Sequence, residues 1–180
     1  MSFEFDILNY LQTLHSPFLD KLMLFFTHLG DQGFIWVCLC LILLIIPKTR
    51  KTGVILFIAL LIDTLVCNVF LKNLFMRPRP CTINPNITLL VSQPKDYSFP
   101  SGHTAASFTV VSVLYLLKQK KLFIPSLVLA CFIAFSRMYL YVHYPSDILG
   151  GVIVGFLCGL LSYLLTFKIH FEKEKDLFPQ

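Results

Sequence analysis

The sequence predicts an all-α integral membrane protein, a bundle of six transmembrane helices, and three observations point there. Of 180 residues, 56% are hydrophobic and only 14% charged, with a mean hydropathy of +0.74; an ordinary soluble domain is about 25% charged. The stretches 33–47, 54–71 and 152–167 are apolar on every side rather than along one stripe, the pattern of helices surrounded by hydrocarbon. Basic residues gather in alternate connections between apolar runs, as in a chain threaded back and forth through a bilayer. The whole chain, 1–180, reads as one domain.

Residues 1–16 are moderately apolar and precede Pro17, predicting an interfacial helix that ends near His15. A first span covers about 18–28. Gly30-Asp31-Gln32-Gly33 is a turn, and a second span, 34–46, stops at Pro47. The third, 53–75, ends at Arg77-Pro78-Arg79-Pro80, because a proline disfavours helix in the residue before it. Residues 76–101 form one long connection; loops of that length are functional or disordered, and motif residues on both flanks mark it as an active-site loop. Spans at 104–117, 122–140 and 145–167 follow, then a cytoplasmic tail, 169–180. Several spans fall short of the roughly 20 residues a perpendicular helix needs, so bilayer thinning or motif residues inside helices must supply the difference.

The positive-inside rule orients the bundle. Lys48, Arg50 and Lys51 follow span two, Lys118, Lys120 and Lys121 follow span four, and Lys168, Lys173 and Lys175 follow span six. That side is cytoplasmic. Lys72, Arg77, Arg79, Lys95 and Arg137 lie toward the other, so their site faces the periplasm, the cell exterior or a lumen. Without a first span only the N-terminus changes sides. Glu4 and Asp6 stand where a secretory signal carries basic residues, so no removable signal is expected. Five of the six cysteines lie in apolar runs, where a thiol behaves as a small hydrophobe, and their spacing suggests no zinc site. Basic residues set between membrane spans argue against nucleic acid as a partner.

Three stretches carry chemistry. Lys72, Arg79 and Arg137 are cations suited to a phosphate, the arginines as planar forks and the lysine as a point charge; alone, Lys72 reads more readily as a snorkelling side chain. Seven positions separate Lys72 from Arg79, two turns if a helix persisted past Pro78 and Pro80. Pro100-Ser101-Gly102-His103 precedes an apolar span, placing its amides at a helix N-terminus that favours an anion. Gly102 permits close backbone approach, while Ser101 is also an ordinary N-cap and His103 an ordinary interfacial histidine. Pro145 suits a first helical position, which sets His143 just outside that helix and Asp147 in its first turn. There the carboxylate reaches one imidazole nitrogen and leaves the other free to attack phosphorus; the plainer role for Asp147 is a helix-dipole partner. Asp63, inside span three, is an intramembrane carboxylate that pairs within the bundle or with Lys21 or His28.

In order, these residues resemble the signature of the type-2 phosphatidic acid phosphatase superfamily: K-x6-R-P at Lys72, Arg79 and Pro80, P-S-G-H at Pro100, Ser101, Gly102 and His103, and S-R-x5-H-x3-D at Ser136, Arg137, His143 and Asp147. Arg77 has the wrong spacing, so Arg79 fills the arginine position. The resemblance implies a six-helix membrane phosphatase that needs no metal or other cofactor. It implies that His143 forms a phosphohistidine, oriented by Asp147, that His103 protonates the leaving oxygen and then activates water, and that Lys72, Arg79, Ser101, Gly102 and Arg137 hold the phosphate.

The expected substrate is therefore a lipid phosphate or diphosphate in the membrane. Small bacterial members acting on undecaprenyl diphosphate rank first, followed by phosphatidylglycerophosphate, phosphatidate and lipid A phosphatases. A non-catalytic lipid-phosphate carrier or scramblase is the alternative of another class, and intact His103, His143 and Asp147 count against it. A haloperoxidase fits poorly with six apolar spans.

Overall fold

The computed structural model describes residues 2–177, with side chains described for 3–166, and all regular structure among them is helical. Helix α1 (Ser2–Thr13) is followed by α2 (Pro17–Gly30), which starts at Ser16, whose Oγ accepts from the Leu19 amide at 3.4 Å, with Pro17 at the first helical position. A 3-10 turn, Asp31–Gly33, holds Gln32 and Gly33 at φ 50° and 71° and leads into α3 (Phe34–Ile45). Helix α4 (Arg50–Asp63) continues through a π-helical stretch, Thr64–Leu71, into a last turn, α5 (Lys72–Phe75). The expected long loop contains one short helix, α6 (Pro80–Ile83). Then come α7 (Gly102–Leu116), α8 (Lys120–Tyr139) and α9 (Pro145–Leu177).

Four runs are long and apolar enough to cross a bilayer: 17–45, 47–83, 120–139 and 145–166. Helix α7 is shorter, at 15 residues, about 22 Å at the α-helical rise. Helix α9 outruns the expected span and takes in most of the expected tail; residues 178–180 and the side chains of Lys168, Lys173 and Lys175 lie outside the described residues.

Helices α7 and α9 form the centre. Gly151, Gly155 and Gly159 recur every fourth residue on α9, and a Cβ at Gly155 would sit 2.4 Å from the Ala105 carbonyl oxygen of α7. Small residues at this spacing let two backbones touch, the main source of attraction between helices in lipid, where burial of apolar surface supplies little. Hydrogen bonds add to it: Trp36 Nε1 donates to Ser107 Oγ at 2.9 Å, Ser112 Oγ to the Phe156 carbonyl at 3.1 Å and Ser162 Oγ to the Ile55 carbonyl at 2.8 Å. Bonds of this kind contribute on average about 0.6 kcal/mol each in a bilayer, so close packing outweighs them. Trp36, Leu56, Ala59, Val110, Leu114 and Ile133 fill the space between α3, α4, α7 and α8.

This frame brings five chain segments together at one end of the bundle: the turn after α2, the π stretch with α5, the connection 76–101, the N-terminus of α7 and the loop from α8 to α9. All five contribute to one cavity of about 690 Å³.

Candidate active site

The α8–α9 loop is shaped by its first residues. Tyr141, at φ 59°, takes the left-handed conformation that commonly ends helices, and the Val142 and His143 amides fold back onto the Arg137 carbonyl at 3.2 and 3.3 Å. That return sets the His143 ring beside the last turn of α8. Helix α9 starts at Pro145 as expected, with Asp147 in its first turn.

His143 is almost wholly buried. Arg79 Nη1 lies 3.0 Å from Nε2, and Asp147 Oδ2 lies 3.4 Å from Nδ1. A guanidinium only donates, so Nε2 must be the acceptor; the proton sits on Nδ1, facing the carboxylate. Burial, then the charges of Arg79, Arg137 and Lys72, holds the His143 pKa well below 6.5, which keeps the ring neutral and its Nε2 lone pair available. Asp147 is fixed from several sides. Oδ2 also accepts from the Ser98 hydroxyl and, at 2.8 Å, from the Tyr144 amide, while Oδ1 accepts from Arg77 Nη1 at 2.7 Å.

Lys72, Arg79 and Arg137 are all buried and all line the cavity. The two-turn alignment of Lys72 with Arg79 does not form: the helix stops at Phe75, and Met76 turns left-handed at φ 44°. The two cations meet instead on Asp96, which pairs with Lys72 Nζ and, at 2.7 Å, with Arg79 Nη2. Burial opposes the Asp96 charge, but Lys72 and Arg79 outweigh it and hold its pKa at about 2. Arg137 donates to Thr27 Oγ1, and its buried Nε has no partner. Ser136, its neighbour, is buried and bonds the Ile133 carbonyl at 2.7 Å.

His103 stands at the start of α7 on the cavity wall, with Nε2 3.0 Å from Asp31 Oδ1. The ring passes so close to α2 that a Cβ at Gly30 would lie 2.7 Å from its Cδ2. The hydrogen bond from His103 holds the Asp31 pKa below its ordinary value. Gly102 also lines the cavity, and a Cβ there would meet Asn68 Oδ1 at 2.7 Å. Ser101 is placed differently. It is fully buried, makes no side-chain cap, accepts from Thr104 Oγ1 at 3.1 Å and gives its amide to the Asp147 carbonyl at 3.1 Å. Its place is the joint between α7 and α9 rather than the cavity wall. Asp63 is buried on that wall, with Oδ1 lacking a hydrogen-bond partner.

Four functional neighbours escape a reading by motif: Asp31, Asp96, Arg77 and Glu4. Arg77 binds Asp147 with Nη1 and Glu4 Oε2 with Nη2, each at 2.7 Å, and its guanidinium carbon lies 4.0 Å above the Tyr144 ring. Glu4 Oε1 accepts from Ser146 Oγ at 2.5 Å. A charged arginine two residues before Arg79 and an acid in α1 were visible signals, but nothing in sequence paired them. Among the described residues, no three His, Cys, Asp or Glu gather closely enough to hold a metal ion.

Comparison with known proteins gives the family. Residues 52–171 match the model of the PAP2 superfamily. An undecaprenyl-diphosphatase of Sulfolobus acidocaldarius is 33% identical over 159 residues, covering 88% of this chain and 74% of that protein. A lipid A 4'-phosphatase of Bacteroides thetaiotaomicron is 32% identical, covering 95% and 80%. The crystal structure of a transmembrane PAP2-type phosphatidylglycerolphosphate phosphatase from Bacillus subtilis superposes with a TM-score of 0.77 at 30% identity, covering 93% of this chain and 86% of the other. With its histidines and cations gathered at one cavity in a helical membrane fold, the chain belongs to the PAP2 superfamily and is one of its membrane lipid phosphatases.

Proposed function

We propose that this chain removes the terminal phosphate from a membrane lipid diphosphate, undecaprenyl diphosphate first, through a phosphohistidine on His143; phosphatidylglycerophosphate, phosphatidate and lipid A are the next substrates in rank. The observation that carries this reading is the neutral His143, its Nε2 directed to Arg79 at 3.0 Å inside the cavity that Lys72, Arg137 and His103 also line. The relatives named above support the substrate order.

In the proposed reaction, Nε2 attacks the terminal phosphorus and the bond from phosphorus to the lipid-side oxygen breaks. His103 gives its proton to that oxygen. Neutral His103 then takes a proton from water, whose oxygen attacks phosphorus; the phosphorus–nitrogen bond breaks and orthophosphate leaves. Arg79, Lys72, Arg137 and the Gly102 amide stabilise charge on the equatorial oxygens, the dominant contribution in phosphoryl transfer. Ser101 contributes by fixing α7 against α9. Asp147 keeps the Nδ1 proton in place.

The headgroup enters from the bilayer: Val37, half-exposed on the outer face of α3, also lines the cavity. The basic connections 48–51 and 118–121 support a site on the extracytoplasmic face of the plasma membrane. Glu4 meets Arg77, and Gln12 and Asp20 both meet Tyr139, at the site end of the bundle, which supports α1 and α2 lying along that face and a bundle of five crossings.

Phosphate release by purified protein in detergent, with a chelator present, tests the activity. A panel of prenyl diphosphate, phosphatidylglycerophosphate, phosphatidate and lipid A orders the substrates, and an acid-labile phosphoryl adduct on His143 is expected during turnover. No release from any of them, with His143→Ala binding lipid like the parent, would establish a carrier instead.

A further inference from the structure

Two of the three cage cations already hold an anion from the chain itself. Asp96 takes Lys72 through Oδ2 and Arg79 through Oδ1, and its carbonyl accepts from Arg79 Nε at 2.9 Å. The remaining Arg79 donors go to the Tyr97 carbonyl at 3.2 Å, the Val142 carbonyl at 2.8 Å and His143 Nε2. Every one of the five N–H groups of this guanidinium therefore has an acceptor within the protein. The Asp96 side chain, unlike the cations it binds, is about half exposed, at the end of the active-site loop. Arg137, with its buried unpartnered Nε, is the cage arginine with a donor to spare.

Lys72 has donors beyond the one on Asp96, but a phosphate that binds Arg79 must displace one of its acceptors, and Asp96, which also holds Lys72, is the one carried by a half-exposed side chain. A carboxylate brings one negative charge and two oxygens. A terminal phosphate carries roughly 1.5 to 2 charges near neutral pH and three oxygens, enough to replace both Asp96 oxygens and reach Arg137 with the third. A phosphodiester, the linkage in bulk phospholipids, brings one charge and two free oxygens, which is no more than Asp96 offers. Displacement has a second consequence: the Arg79 fork turns toward phosphate and releases His143 Nε2.

Building on the phosphatase reading, we propose that Asp96 is a resident competitor for the phosphate cage, a specificity residue that a terminal phosphate displaces and a phosphodiester headgroup does not.

The test measures orthophosphate affinity by calorimetry in detergent and inhibition of lipid phosphate hydrolysis by phosphatidylglycerol in mixed micelles. Asp96→Asn keeps the size and removes the charge; orthophosphate should bind about tenfold tighter, and phosphatidylglycerol, inert toward the parent, should become a competitive inhibitor. Asp96→Glu, which keeps a carboxylate, should retain the parent's indifference to phosphatidylglycerol. Weaker or unchanged orthophosphate binding in Asp96→Asn overturns the proposal, since a residue that merely scaffolds Lys72 and Arg79 predicts weakening. If Asp96→Asn does not fold, the parent decides: saturating orthophosphate should speed amide hydrogen exchange at Ser98, whose N–H donates to the Arg77 carbonyl at 2.8 Å, and unchanged or slower exchange refutes displacement. A parent that binds orthophosphate but hydrolyses no lipid phosphate refutes the phosphatase reading alone.

Discussion

The two histidines of the site sit in opposite kinds of environment. His143 is buried, held at Nε2 by Arg79 and at Nδ1 by Asp147, and Asp147 is itself gripped by Ser98, Arg77 and the Tyr144 amide. His103 keeps 18% of its side chain exposed and has one ionic partner, Asp31, on a turn whose own carboxylate side chain is 52% exposed. In the proposed mechanism this difference separates the tasks. A nucleophile gains from a fixed tautomer and exclusion of water, whereas a group that gives a proton and takes another needs contact with water.

The largest test of that contrast is His143→Ala, expected to lower kcat by about 10⁴-fold or more, as for other nucleophiles that work as part of a unit; the readout is phosphate release together with loss of the acid-labile adduct. His103→Ala should cost about 10²- to 10⁴-fold, the range for general acid–base groups. The loss should shrink with a substrate whose leaving oxygen needs no proton, such as an aryl phosphate. Equal losses on both substrates would remove His103 from protonation.

Support for the buried side is tested next. Arg77→Gln leaves Asp147 Oδ1 without its partner, and kcat should fall about 10- to 100-fold, the usual scale when a group orienting a site residue is lost, with KM nearly unchanged. Arg77→Lys should recover part of the loss. A rise in KM equal to the fall in kcat would instead make Arg77 a substrate contact.

The smallest effect is on stability. Burial and the nearby cations depress the His143 pKa below 6.5, so below that pH the unfolded chain binds more protons at this residue than the native one, and stability falls as pH drops through the window. The melting temperature in detergent should decline below about pH 6.5, and His143→Asn should flatten that decline. An unchanged slope would mean that other groups set it.

Much of the fold was legible because hydrocarbon imposes a crude rule that residues obey one by one. Proline and apolar length marked both ends of α3 and α7 and the start of α9 to within a few residues, whereas the far end of α9 ran ten residues past the expected one. The site was legible where the motif spacing is local: His143 and Asp147 lie on one turn, and Pro145 fixes its start. Lys72 and Arg79 show the limit. Their spacing suggested a helix face, but the chain breaks at Met76 and reunites them on Asp96, a residue with no motif position. Ser101 belongs to the expected stretch yet bonds Thr104 and Asp147, because a residue before a helix can turn its polar groups to either neighbour.

The sequence alone determined that helices would cross a membrane and which imidazoles and fixed positive charges would line one cavity, since composition, proline placement and short spacings are properties of the chain taken in order. Only the tertiary structure decided which acids answer those groups. Glu4, Asp31 and Asp96 come from three separate segments, and each pairs with its histidine or arginine through side-chain contacts that close packing of distant helices creates. Electrostatic pairing depends on distance in space, and no periodicity along the chain encodes it.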